Sequence, residues 1–394
     1  QHDRSIKLIT ILSIGLSIDF ICRIGKGVAT GFHRYDLIYK TQIFGNLFKL
    51  IYIFLFFFYL ASKNIFLLGY LSVITMIIPN IIVIFFIFPK ISKYFQLRLK
   101  YFSLEKVKEL VSLGGANIIT NSLAGILKSV TLVVIANNFL LSSVAIYAIP
   151  ASLLVYPSML VNTFLLSFTN IGSELKSREQ ESIINSMVLI GIKYSLAMNI
   201  GFFIGVLVFG KTFLTLWVGK NFTFLELDTM FLILSIMSAS FITLQLIEPL
   251  AKVLKGTGKH WLVGIVSIVI NLFGFFLGYF IMINQSFGLP GMAIGYLISG
   301  LISSFLIYPI IMLKYKISDL KLFFKNIISC ILYIACPLSI ISFLMNIIKY
   351  NSWLILIFWA MFFSAIFLLL FYYLILEERH KKYFLKKLVF KSHT

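Results

Sequence analysis

Charge is scarce in this chain, and acidic charge scarcer still. Of 394 residues only 12% are Asp, Glu, Lys or Arg, and only 14 of these are acids; a soluble domain carries about 25% charged residues. Cysteine is limited to Cys22, Cys330 and Cys336. All three lie in apolar stretches without the spacing of a disulfide framework or a metal site, so they read as small buried hydrophobes. The chain also lacks paired carboxylates, an H-E-x-x-H, a glycine-rich phosphate loop and a Ser/His/Asp constellation. The five histidines (His2, His33, His260, His380 and His393) sit near the ends of apolar runs or at the termini, where solvation accounts for them. No stretch between apolar runs is long enough to fold as a domain; the longest, around 89–109, is short and basic. These absences argue against an enzyme and imply no cofactor and no metal.

What is present is hydrocarbon. The composition is 60% hydrophobic, and it is organised into eleven runs: 8–31, 43–61, 65–88, 110–140, 143–171, 183–209, 229–253, 261–283, 289–313, 323–346 and 352–376. Each is long enough to cross a bilayer core, which takes about 20 residues as a helix. The expected fold is therefore all-α, a polytopic transmembrane helical bundle. The two longest runs, 110–140 and 143–171, are expected to include interfacial turns, and Pro150 and Pro157 to kink the second or delay its start.

The net charge of +20 would suggest nucleic acid in a soluble protein. Its placement argues against that partner. Alternate loops, counted from the one after the first run, hold 25 of the 34 lysines and arginines, and the opposite loops hold 6. By the positive-inside rule the basic loops and the C-terminus face the cytoplasm and residue 1 faces outside. With Gln1 at the start and no signal peptide, the expectation is a chain that begins inside a longer protein.

A polar, basic break at 26–48 recurs 225 residues later at 251–273. At that offset Gly31 meets Gly256, Arg34 meets Lys259, and Asn46-Leu47-Phe48 meets Asn271-Leu272-Phe273. Both copies follow a run directed from outside to inside, so the repeat is parallel, an arrangement that places a substrate cavity between related halves. The expected organisation is 1–105 as the last three helices of an incomplete first lobe plus a basic linker, 106–315 as a six-helix lobe, and 316–394 as an extra helix pair with a basic tail. Transport fits this plan better than catalysis.

Four short motifs carry a resemblance. They are Gly31-Phe32-His33-Arg34-Tyr35-Asp36, Val144-Ala145-Ile146-Tyr147-Ala148-Ile149-Pro150, Leu216-Trp217-Val218-Gly219 followed by Phe222, and Gly288-Leu289-Pro290-Gly291-Met292-Ala293. In this order and spacing the chain resembles the Wzx-type polysaccharide flippases of the multidrug/oligosaccharidyl-lipid/polysaccharide superfamily, starting at their fourth helix. The resemblance implies passage of an undecaprenyl-diphosphate-linked oligosaccharide from the inner to the outer leaflet of a bacterial cytoplasmic membrane by alternating access. The partners it implies are the polyprenyl-diphosphate-linked glycan, membrane lipids and other polysaccharide-assembly membrane proteins. Multidrug export and lipid II flipping are alternatives within the superfamily. A membrane polysaccharide polymerase or ligase is the alternative from another class, and it would need a large outer loop.

A cavity for a diphosphate needs cations at membrane depth, where each charge costs about 2.5–3.5 kcal/mol to insert and so marks a functional candidate. Asn117, Asn121 and Lys128 share one helical face, with Lys128 near mid-run. Asp19, Arg23 and Lys26 share another, and the guanidinium fork of Arg23 suits phosphate oxygens. Lys193 lies roughly 15 Å into its run at 1.5 Å per residue. Each has a structural alternative as interhelical glue, ion pair or snorkelling cation. Glu248, before Pro249 and four residues ahead of Lys252, reads as a local pair or a gating element. The resemblance places an acid near Lys128 in many relatives, so Lys128 and Thr131 put acid-based cation coupling at that point in doubt. Arg34 and Lys259 are expected to set topology and attract anionic headgroups, and the basic tail to lie at the interface.

Overall fold

The computed structural model describes residues 2–31, 34–58, 65–91, 102–284, 287–317, 319–345 and 352–382. Among them every regular element is helical, and nine helical stretches are long and apolar enough to cross a bilayer. The chain is a multi-pass membrane protein. Those nine correspond to nine of the eleven runs expected. The other two fall in α2 (Tyr35–Phe58), which carries Asp36, Lys40 and Lys49, and in α4 (Leu104–Asn138), whose apolar part is Ser122–Asn138.

Two compact units are present, Gln1–Lys106 and Val107–Thr394. In the first, α1 (His2–Gly31) and α2 pack on α3 (Ile65–Ile91). Lipid tails are as apolar as leucine, so water exclusion does not hold these helices together; close packing must. Gly25 shows how: a Cβ there would lie 2.4 Å from Cγ1 of Ile84, so α1 and α3 meet at this depth only because α1 has no side chain to interpose.

The second unit follows α4 with α5 (Leu141–Leu153), α6 (Val155–Ser177), α7 (Glu181–Val218), α8 (Phe224–Leu246), α9 (Glu248–Gly256) and α10 (His260–Ile283). Then come α11 (Pro290–Ile302), α12 (Tyr308–Tyr315), α13 (Leu320–Cys330), α14 (Cys336–Met345) and α15 (Trp353–Leu370). Helix α7 is the spine. Its 38 residues span roughly 57 Å at 1.5 Å per residue, well beyond a bilayer core of about 30 Å. Ile192, Ile200 and Ile204 enter one core with Leu165, Leu250, Leu254, Met312, Phe323 and Leu338. Val206 and Leu214 enter a second with Ile135, Met230, Ile233 and Met292. Helices α13 to α15 lie in this unit against α7.

Proline sets the breaks. Helix α5 ends at Leu153, and α6 starts at Val155 because Pro157 has no N–H to return to the carbonyl of Leu153. Helix α8 gives way to α9 at Ile247 for the same reason. Pro249 leaves the carbonyl of Gln245 without its helical donor, and Oγ of Ser195 on α7 donates to it instead at 3.1 Å. Wide π-helical turns at Ser303–Ile307 and Ile331–Ala335 precede Pro309 and Pro337, letting those helices continue past the ring. The turn expected within 110–140 is not there. α4 is one unbroken helix, and no proline interrupts it.

Candidate functional site

In the first unit Asp19 is 1% exposed, held at the α1–α3 packing surface. Arg23 approaches it with Nε 2.6 Å from Oδ2, one turn along the same face. Asn80 on α3 donates Nδ2–H to Oδ1 of Asp19 at 2.5 Å and also to the carbonyl of Met76 at 3.2 Å. The carboxylate is thus paired on both oxygens, as a buried charge must be. Arg23 stays 59% exposed at its side chain, so a guanidinium edge remains open. Asn80 was not among the expected residues. It lies 61 positions from Asp19 on another helix, and a single Asn in an apolar run gives no partner by itself.

In the second unit Lys128, exposed on α4, borders a cavity of about 310 Å³. Thr131 of α4, Tyr147 of α5, Ser240 of α8, Asn271 of α10 and Tyr296 of α11 line it too. Lys128 has no ion-pair partner among the described residues. One cation without an ion-pair partner among the described residues therefore shares a cavity with hydroxyl groups and an amide. The backbone of Asn117 and Asn121 belongs to α4, but their side chains lie outside the described residues. Asn271 is the residue whose triplet repeats Asn46-Leu47-Phe48, so that repeat marked a cavity residue without showing it.

Lys193 lines neither this cavity nor the larger one described next. It is half-buried on the side of α7 that meets α13, where its carbonyl accepts from Sγ of Cys330 at 3.4 Å. The structure therefore separates Lys193 from Lys128. Glu248 and Lys252 pair at 3.3 Å across one turn of α9, each about a quarter exposed at its side chain (27% and 23%).

The larger cavity, about 690 Å³, lies among α5, α6, α7, α8 and α15. Its walls are hydrocarbon, with Tyr156, Phe202, Phe209, Trp353 and Phe367 among them, and Asn199 and Ser364 as polar points. Asn199 is 1% exposed; its Nδ2 donates to the carbonyl of Ser195 at 2.7 Å, and its Oδ1 has no partner among the described residues.

Outside the spans, Arg34 grips Asp36 with a fork, Nε to Oδ1 at 2.9 Å and Nη2 to Oδ2 at 3.0 Å. The guanidinium holds the Asp36 carboxyl below the ordinary range for an aspartate.

The helical arrangement of this chain also occurs in solved structures of other proteins. One is described as lipid II flippase MurJ in an inward closed conformation: 18% identity, TM-score 0.59, covering 92% of this chain and 74% of that one. A second is a point mutant of a MATE protein: 14% identity, TM-score 0.60, covering 75% of this chain and 66% of that one. This chain shares their fold. The all-α polytopic bundle expected from the sequence is therefore the fold observed. No family model and no curated protein sequence matches the chain.

Proposed function

We propose that this chain moves a lipid-linked, anionic glycan across a bacterial cytoplasmic membrane. The cargo in this reading is a polyprenyl-diphosphate-linked oligosaccharide repeat unit, taken from the inner to the outer leaflet for O-antigen, capsule or exopolysaccharide assembly. The observation that carries it is Lys128, an ammonium without an ion-pair partner among the described residues, at a mostly apolar cavity that also holds four hydroxyl groups and one amide. A cation maintained at such cost suits a diphosphate, and the surrounding oxygens suit sugar hydroxyls. The hydrocarbon-walled cavity beside α15 offers room for an apolar chain. Arg23, with Asp19 fixing its base and one edge open, is the phosphate contact proposed for the first unit by itself, and Asn117 and Asn121 are further candidates on α4. Glu248 and Lys252 act as a local ion pair at the α8–α9 break and are the proposed gating element. Transport proceeds by alternating access, with the C-terminus cytoplasmic, among membrane lipids and other polysaccharide-assembly proteins.

The MurJ neighbour is named for lipid II, which supports lipid-linked cargo in general and makes lipid II itself a second reading. The MATE neighbour raises export of a cationic drug. That cargo calls for a free acid; among the described residues Asp19 is occupied by Arg23 and Asn80, and Glu248 by Lys252.

The test is complementation with the full-length gene in a strain lacking its repeat-unit flippase, reading surface polysaccharide. Restoration that is lost with Lys128→Ala supports the proposal. No restoration, with the protein in the membrane and the cognate repeat unit supplied, overturns it.

A further inference from the structure

At the basic-loop end of the second unit, two lysines from distant helices are tied to one turn. Lys176, at the end of α6, donates from Nζ to the carbonyl of Thr257 at 2.6 Å. Two residues further on, Nζ of Lys259 sits 3.4 Å over the ring of Tyr315 at the end of α12. An ammonium has three donors, so each cation is positioned by one contact and keeps protons to give.

The turn is built for this approach. A Cβ at Gly256 would fall 2.1 Å from the carbonyl oxygen of Thr169, so the end of α9 can touch the backbone of α6 only with glycine there. Gly258 takes φ +87, a conformation that L side chains rarely adopt. The run Lys255-Gly256-Thr257-Gly258-Lys259 therefore brings Lys259 back beside Lys176. Lys314 adds a third ammonium, 5.8 Å from the same Tyr315 ring.

The acids nearby do not neutralise the pair. Glu248 is bound by Lys252 and Glu174 by Arg178. The charge of Glu181 does reach Lys259, yet the Lys259 ammonium is still pulled below its ordinary pKa, first by burial and then by the positive charge of Lys176. Two like charges held together in this way are relieved by an anion. Hydrocarbon adjoins them: Trp261 is 45% exposed at the start of α10, and Ile265, Val269 and Phe276 of the same helix are exposed above it. Cation, aromatic ring and apolar helix face succeed one another as headgroup, interface and tail do in a leaflet.

We propose that Lys176, Lys259 and the Tyr315 ring form a binding site for the headgroup phosphate of an anionic phospholipid. The site clamps α6, the α9–α10 turn and the end of α12 around one lipid.

The test is native mass spectrometry of the purified full chain carrying phosphatidylglycerol or phosphatidylcholine, with thermal unfolding alongside. Phosphatidylglycerol should be retained in preference to phosphatidylcholine. Lys176→Gln with Lys259→Gln should cut that retention at least fivefold, Lys176→Arg with Lys259→Arg should restore it, and Lys321→Gln with Lys325→Gln on α13 should leave it unchanged. Equal retention of the two lipids, or equal loss in the α13 control, overturns the proposal. If millimolar inorganic phosphate raises the melting temperature of lipid-free protein as far as phosphatidylglycerol does, the site is for a free anion and the phospholipid assignment falls. The milder Tyr315→Leu should weaken retention severalfold; full retention in that variant would remove the ring from the site.

Discussion

Asn80 and Asp19, 61 residues apart in the chain, meet through a 2.5 Å hydrogen bond from Nδ2 to a carboxylate oxygen that is otherwise sealed between α1 and α3. The bond supplies the second partner that a buried carboxylate needs once Arg23 has taken the first. Asn80→Ala should leave Oδ1 of Asp19 without a partner and destabilise the protein by about 1–3 kcal/mol. Thermal unfolding in detergent measures this. Asn80→Asp should be worse, since it sets two carboxylates side by side; an unchanged melting temperature for both would show that the bond contributes nothing to stability.

Lys128 should separate transport from stability. It has no ion-pair partner to lose among the described residues, so Lys128→Ala is expected to leave stability within about 0.5 kcal/mol of the parent while cutting translocation tenfold or more. Lys128→Glu should abolish translocation by repelling the diphosphate. Normal translocation in both variants would take the cation out of the transport path.

Tyr194 fastens the segment after α15 to the spine. Its hydroxyl lies 2.7 Å from Nδ1 of His380 and accepts the backbone N–H of Glu377 at 3.0 Å. Tyr194→Phe removes both at about 1 kcal/mol. Limited proteolysis should then cut faster around 376–382, with the helical circular dichroism signal unchanged.

The Arg34–Asp36 fork gives the α1–α2 turn a pH dependence of known sign. The folded Asp36 carboxyl titrates below its unfolded value. Its contribution is therefore present above the unfolded carboxyl pKa and is lost as pH falls through the lowered folded value. Asp36→Asn should flatten the acid limb of the stability profile. An acid limb that keeps its shape in this variant would assign it to other carboxylates.

Much of the bundle was legible along the chain. Runs of about 20 apolar residues force helices, because a bilayer offers backbone groups no other partner. Prolines at 157 and 249 lie just after the breaks, since a missing N–H acts on its own helix. The Asp19–Arg23 and Glu248–Lys252 pairs were visible as neighbours one turn apart.

What the sequence by itself determined, then, are properties that arise within one helix or at one turn: span length, breaks, i to i+4 pairs and the basic loops. The fold decided what depends on which faces meet. It put Asn80 on Asp19, placed Asn271 and Tyr296 around Lys128, turned Lys193 toward α13 and away from that cavity, and laid Lys259 on Tyr315 beside Lys176. An apolar helix in lipid has no wet side to announce its orientation. Its rotation follows from small residues, ring packing and the few polar bonds it can reach, and these exist only once the neighbouring helices are in place.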